Sequence, residues 1–137
     1  EFYGFDTFYG FPENCLDMEK GHYSTLGTLP KTNDLRIKFI KGLFQKTLSE
    51  FLNKLKSDSK NKTVLVHFDA PLHSATLFNL FKLNEHFKGY FFIFDQFGTA
   101  ECRAFNSFSQ STMQEYDLHL TSMLNYSPEV VFGKLRN

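Results

Sequence analysis

The chain has 137 residues, 42% of them hydrophobic, which is enough to form one domain with a sizeable core. Fifteen basic and fifteen acidic residues cancel, so composition argues against nucleic acid or an anionic membrane as partner and favours small molecules. The two cysteines lack CxxC or metal-ligand spacing, and no apolar run reaches the roughly 18 to 20 residues that cross a bilayer. These features predict a soluble, cytoplasmic protein with no membrane partner.

A short aromatic strand opens the chain over residues 2–5 and ends at Asp6. Residues 7–34 are rich in Gly, Pro, Ser and Thr and have no regular period, so they predict a long loop that serves as a lid. Residues 35–40 alternate and predict a second strand, ended by Gly42. A capping-box pattern at Thr47 then predicts that an amphipathic helix begins there.

Two continuous apolar runs, residues 63–68 and 89–94, each end in an aspartate, Asp69 and Asp95. Runs of this kind are typical of parallel strands that are buried on both faces. A helix capped by Ser74 and stopped by Gly89 separates the two strands. The resulting βαβ unit places both aspartates at one carboxyl edge of the sheet, where open α/β folds bind their ligands.

The remaining segments predict a third helix and a closing hairpin. The helix spans about residues 100–109, and the hairpin pairs residues 116–123 with residues 130–135 at the sheet edge. The predicted fold class is therefore α/β, a mostly parallel sheet finished by a C-terminal antiparallel hairpin. The chain starts at Glu1 instead of Met, and we expect residues 1–137 to be a single, partial domain.

The polar residues at the ends of the predicted strands, and the histidine within one of them, also have a purely structural interpretation. Asp69 and Asp95 are placed to cap the next helix or turn, and Asp6 to form an Asx-turn. The interpretation preferred for His67 is a packed, hydrogen-bonded core imidazole. Glu101 and Arg103 are expected on an exposed polar face of the third helix. The lysines expected to form a solvated face, and not a phosphate site, are Lys54, Lys56, Lys60 and Lys62.

Six motifs in register carry a resemblance to a known family. They are residues 4–13 (GFDTFYGFPE), 20–25 (KGHYST), 41–44 (KGLF) with Thr47 and Leu48, 67–69 (HFD), 94–97 (FDQF) and 103–105 (RAF). Their order and spacing resemble the macrocin O-methyltransferase family over nearly the whole chain. The resemblance implies a Rossmann-like methyltransferase sheet whose first strand and glycine-rich turn are missing from these residues.

The same resemblance implies an S-adenosylmethionine-dependent, Mg²⁺-assisted O-methyltransferase that acts on a hydroxyl of a sugar or other small molecule. Cofactor-binding positions would be Asp6, Phe8, Gly42 and Asp69. The metal would be held by Asp69, Asp95 and Gln96. Hard oxygen ligands at neighbouring strand ends suit Mg²⁺, which takes few protein carboxylates and keeps several waters.

Two substitutions depart from the family pattern. Pro71 occupies the position of the family's second aspartate, the proposed general base, and Gln96 replaces its third metal carboxylate. His73 replaces a family tyrosine and is the remaining candidate base. The alternative hypothesis is thus a non-catalytic methyltransferase-fold module that serves a structural or protein-interaction role, as a homo-oligomer or within a larger protein.

Overall fold

The computed structural model describes residues 1–55, 62–124 and 127–136 and shows an α/β protein. Within these ranges the chain forms three α-helices, a two-stranded sheet and a mixed four-stranded sheet. It divides into two compact units, Glu1–Asn53 and Lys54–Asn137, which are described separately below.

The first unit is built on two parallel strands, β1 (Phe2–Asp6) and β2 (Ile37–Lys41). Helix α1 (Phe44–Lys54) follows at once and packs on β1, where the ring of Phe51 lies 4.6 Å from that of Tyr3. The predicted start of this helix at Thr47 is wrong. Gly42 turns the chain with a φ of +146°, so the helix begins three residues earlier, and the Thr47 hydroxyl donates within it to the Leu43 carbonyl.

The long loop between β1 and β2 is held by its own hydrogen bonds. The carbonyl of Phe8 accepts the N–H groups of Thr25 and Gly27, and the backbone of Phe11 pairs with that of residues 21–22. No helix or extended strand forms between residues 7 and 34, as the sequence predicts, and β2 begins at Ile37, two residues after its predicted start. Whether this loop acts as a lid stays a prediction.

The second unit contains the predicted parallel pair and the predicted hairpin. β3 (Leu65–Phe68) pairs in parallel with β4 (Phe91–Phe94), with helix α2 (His73–His86) between them in the chain. β5 (Tyr116–Leu124) and β6 (Ser127–Leu135) form the antiparallel hairpin, and the strand order is β3-β4-β6-β5. One of the three strand pairs in this sheet is therefore parallel and two are antiparallel.

The prediction that β3 and β4 are buried on both faces is wrong. Buried and half-buried residues alternate along β4, and Leu65 in β3 is 58% exposed. The reason is that the helical packing lies on the face that carries Phe92 and Phe94, whose rings contact Phe105 at 5.3 and 5.5 Å. Alternation is the pattern expected when a sheet packs a helix layer on one face.

The helices of the second unit begin and end near their predicted positions, with corrections at three ends. Leu72, and not Ser74, is the N-cap residue of α2, which ends at His86 before Gly89. A π-helical turn, Phe97–Glu101, precedes α3 (Cys102–Thr112), so the third helical segment is longer at both ends than predicted.

An aromatic and aliphatic core fills the second unit. Its largest fully buried apolar side chains are Leu80, Tyr90, Phe92, Phe94, Phe105, Phe108 and Leu135. This packing explains most of the unit's phenylalanines without any need for a stacking surface. In the part of the chain that the structure describes, no helix combines the length and apolar character required to cross a bilayer.

At Gly133 in β6, the packing of the second unit leaves no room for a side chain. A Cβ atom there would lie 2.4 Å from Phe92 Cζ and 2.5 Å from the carbonyl oxygen of Asp117. Gly133→Ala should therefore lower the free energy of unfolding by about 2 kcal/mol, measured by urea denaturation. The exposed Met123→Ala is the control and should change it by less than about 0.5 kcal/mol. Equal effects of the two variants would contradict the packing described for β6.

Candidate functional site

Two aspartates lie together at the carboxyl edge of the β3–β4 pair. Phe68 and Phe94 are partners in the parallel register, so Asp69 and Asp95 are the next residues on neighbouring strands. The N–H of Asp95 donates to the carbonyl of Phe68 at 3.1 Å, which extends the pairing to this edge. The predicted juxtaposition of the two aspartates is thereby confirmed.

Neither aspartate has the capping role that is its structural alternative. The N-cap residue of α2 is Leu72, and that of the π-helical turn is Gln96, with no side-chain capping bond at either. Asp69 is exposed, and its carboxylate accepts no hydrogen bond from the residues described. Asp95 is half-buried. Two carboxylates without a capping function are thus presented at the same edge.

A third carboxylate, Glu101, is buried beneath this edge. Its side chain is only 1% exposed. Its Oε1 accepts the N–H of Ala70 at 3.3 Å, and its Oε2 accepts the N–H of Gln96 at 3.1 Å. The Ala70 carbonyl is also engaged, because the buried Thr76 hydroxyl donates to it at 2.8 Å. One carboxylate therefore joins the loop after β3 to the loop after β4.

The surroundings of Glu101 favour its neutral form. Burial raises its pKa to about 7, and the negative charges of Asp69 and Asp95 add to this effect, while the hydrogen bonds from Gln96 and Ala70 oppose it. A carboxyl group with this pKa, between two further carboxylates, is typical of a functional site. It also indicates that Asp69, Asp95 and Glu101 form one electrostatic cluster.

The prediction that Glu101 belongs to an exposed helix face is wrong, whereas Arg103 is exposed as predicted. Glu101, Phe105 and Phe108 are spaced i, i+4 and i+7, which places the carboxylate on the apolar face of the third helical segment. This spacing was the signal available in the sequence. It did not show that two backbone N–H groups would satisfy the buried oxygens.

Two histidines lie near the edge. The prediction of a packed core imidazole is wrong for His67, whose side chain is 56% exposed and whose Nε2 lies 3.7 Å from Asp95 Oδ1. His67 is exposed because successive side chains of β3 point to opposite faces of the strand, and few residues pack against the face on which His67 lies. His73 is the half-buried first residue of α2, four residues after Asp69, and Pro71 lies in the loop between them.

The other predicted cofactor residues meet in the first unit. Asp6 Oδ1 accepts the N–H of Phe8, which confirms the Asx-turn, and the Asp6 carbonyl accepts the N–H of Gly42 at 2.9 Å. Phe8 is buried, with its ring edge-on to Phe39 at 6.1 Å. The Asp6 side chain itself is exposed. Asp6, Phe8 and Gly42 thus form one cluster at the carboxyl ends of β1 and β2.

The residues of the second unit fit a small, water-rich Mg²⁺ site. Within the described ranges, no group of three His, Cys, Asp or Glu side chains is arranged to hold a metal ion. Mg²⁺, however, is commonly bound through one or two carboxylates with waters completing the shell. Asp69 and Asp95, both accessible, meet that requirement, with the exposed Gln96 beside them.

Comparisons of the chain with protein-family models, with curated proteins and with solved structures give no match in any of the three.

The raised pKa of Glu101 predicts how stability depends on pH. The folded state retains a proton that the unfolded state releases above a pKa of 4.5, so this stabilisation is complete below that pH and is lost as pH rises through about 7. In EDTA-containing buffer, the free energy of unfolding should fall by about 3 kcal/mol across that interval. Glu101→Gln, which stays neutral, should remove this part of the slope in urea titrations.

Glu85→Gln is the matched control for the Glu101 experiment, because Glu85 is an exposed carboxylate on α2 that pairs with Lys82. Its pH dependence should follow that of the parent chain. A Glu101→Gln variant with an unchanged slope would show that Glu101 is ionised at pH 5 to 6, against the environment described.

Proposed function

We propose that the chain is an S-adenosylmethionine-dependent, Mg²⁺-assisted O-methyltransferase-like domain of the macrocin type, acting on a hydroxyl of a sugar or other small molecule. The observation that carries the proposal is the pair Asp69 and Asp95 at one strand edge, without capping roles and backed by buried Glu101. The finer fold proposed with it is a Rossmann-like methyltransferase sheet. The parallel pairs β1–β2 and β3–β4 and the terminal hairpin support it.

For the first unit taken by itself, we propose that Asp6 recognises ribose hydroxyls. Asp6 has an exposed carboxylate at the end of β1, and only its Oδ1 is used in the Asx-turn among the contacts described. The second oxygen is suited to accept hydrogen bonds from sugar hydroxyls. Two hydrogen bonds fix the position of Asp6. The Phe8 N–H donates to its Oδ1, and the Gly42 N–H donates to its carbonyl oxygen.

Within the second unit, Asp69, Asp95 and the side-chain oxygen of Gln96 would hold Mg²⁺. The ion supplies positive charge that acidifies an acceptor hydroxyl. Glu101 does not reach solvent, so its part is to hold the Ala70 and Gln96 backbones and thereby the spacing of the two aspartates. A neutral amide at Gln96 leaves this site with less negative charge than a third carboxylate would give.

Methyl transfer also requires a group that takes the proton of the acceptor hydroxyl. Pro71 has no side-chain acceptor, and the carboxylate of Glu101 is buried. His73, half-buried at the start of α2, is the residue that we assign to this role. Its neutral imidazole would accept the proton while the methyl group moves from sulfur to oxygen.

Pro71 and Gln96 specifically favour a second candidate function. Together they remove a proton acceptor and a metal carboxylate from the edge formed by Asp69 and Asp95. A chain that kept the fold but lost catalysis would serve as a structural or protein-interaction module. The two candidates differ in whether the cofactor binds with help from Mg²⁺.

Calorimetric titration of S-adenosylmethionine into the longest natural form of the chain, with and without Mg²⁺, distinguishes the two candidates. We expect micromolar binding that Mg²⁺ strengthens. Asp69→Ala and Asp95→Ala should each weaken the Mg²⁺-dependent part by about tenfold or more, because each removes a proposed ligand. Glu85→Ala, which removes an exposed carboxylate of the same unit, should leave binding unchanged.

A complete absence of heat and of thermal shift at saturating cofactor would reject the methyltransferase proposal and favour the non-catalytic module. If the cofactor binds with an affinity that neither Mg²⁺ nor the two aspartate variants change, the cofactor site would stand and the assignment of the metal ligands would be rejected. If binding follows the expectation, the next screen would use sugar and phenol acceptors.

A further inference from the structure

A groove of about 360 Å³ opens at the opposite end of the strands from Asp69 and Asp95, where β3 and β4 begin and β6 ends. Four of its lining residues are cationic: Lys62, Lys88, Lys134 and Arg136. Because β4 rises about 3.3 Å per residue, the groove lies roughly 13 Å along the strand from Asp95. It is therefore separate from the aspartate edge.

The groove has an excess of positive charge. Arg136 is paired with Asp117, whose Oδ2 accepts its Nε–H at 2.8 Å, and this pairing lowers the pKa of Asp117. Glu115 is the other carboxylate that acts on Arg136. Within the residues described, Lys62, Lys88 and Lys134 form no ion pair. The cations thus outnumber the carboxylates around the groove.

The position of the cations is set by the fold. Lys62 and Lys88 precede β3 and β4, which are parallel neighbours, so the two residues enter the sheet from the same side. Lys134 is held in β6 with its Nζ 5.3 Å from the centre of the Phe91 ring. Although the sequence places Lys62 in a solvated face, the strand register brings it to a shared concave surface with the others.

We propose that this groove binds the phosphate group of a small phosphorylated molecule. Lysine and arginine side chains are the groups that proteins use for phosphate, and the paired Arg136 presents its guanidinium in a fixed orientation. The volume falls in the range of about 300 to 1,000 Å³ found for small-ligand sites. The small volume of the groove suits a small anion better than a nucleic acid strand, which agrees with the chain's zero net charge.

The test is calorimetric titration of the full chain at low salt with two probes, inorganic pyrophosphate and glucose 6-phosphate. We expect saturable, submillimolar binding of both that weakens as salt is raised, and none of glucose. The double variant Lys88→Gln/Lys134→Gln should weaken binding by at least about tenfold, since it removes two unit charges from the site. Lys88→Gln alone should give a smaller loss without altering the Phe91 contact.

Lys31→Gln is the control, because Lys31 is an exposed lysine in the first unit. It should bind both probes as the parent chain does. The proposal is overturned if neither probe binds saturably, if citrate binds more tightly than both, or if Lys31→Gln weakens binding as much as the double variant. None of these outcomes depends on whether S-adenosylmethionine binds.

Discussion

The carboxylate of Glu101 is the constraint on which the candidate site depends. Burying it in the second unit carries a large desolvation cost, which the N–H groups of Ala70 and Gln96 offset and which a raised pKa of about 7 reduces further. Those two N–H groups belong to the loops that follow β3 and β4. The same interaction that satisfies the buried oxygens therefore ties together the two loops that carry Asp69 and Asp95, which the strand register brings to one edge.

The two ends of the β3–β4 pair differ chemically because the two strands are parallel. Parallel pairing of β3 and β4 brings both following aspartates to one edge and both preceding lysines to the other. The proposals for metal and cofactor chemistry at the first edge and for phosphate at the second are thus independent. Each rests on its own residues and is open to its own variants.

Much of the architecture was predictable because it follows from local patterns. The structure contains the two strands predicted from the apolar runs before Asp69 and Asp95. It also contains the predicted closing hairpin. Helix starts were less predictable: the turn at Gly42 lets α1 begin at Phe44, before the capping box at Thr47. The exposure of His67 depended on which face of the sheet the helices cover, and single-sequence patterns do not contain that information. The spacing of Glu101 with Phe105 and Phe108 indicated the burial of Glu101, but not which backbone N–H groups would satisfy its oxygens.

Paramagnetic broadening by Mn²⁺ in ¹H–¹⁵N NMR spectra tests the central claim most directly, because it locates a divalent ion without any cofactor or acceptor. The account predicts that substoichiometric Mn²⁺ first broadens the amide signals of residues 69–70 and 95–96. It predicts that Asp69→Asn/Asp95→Asn abolishes this selectivity. Uniform broadening, or selective broadening centred on another carboxylate such as Glu85, would contradict the assignment of this edge as the functional site.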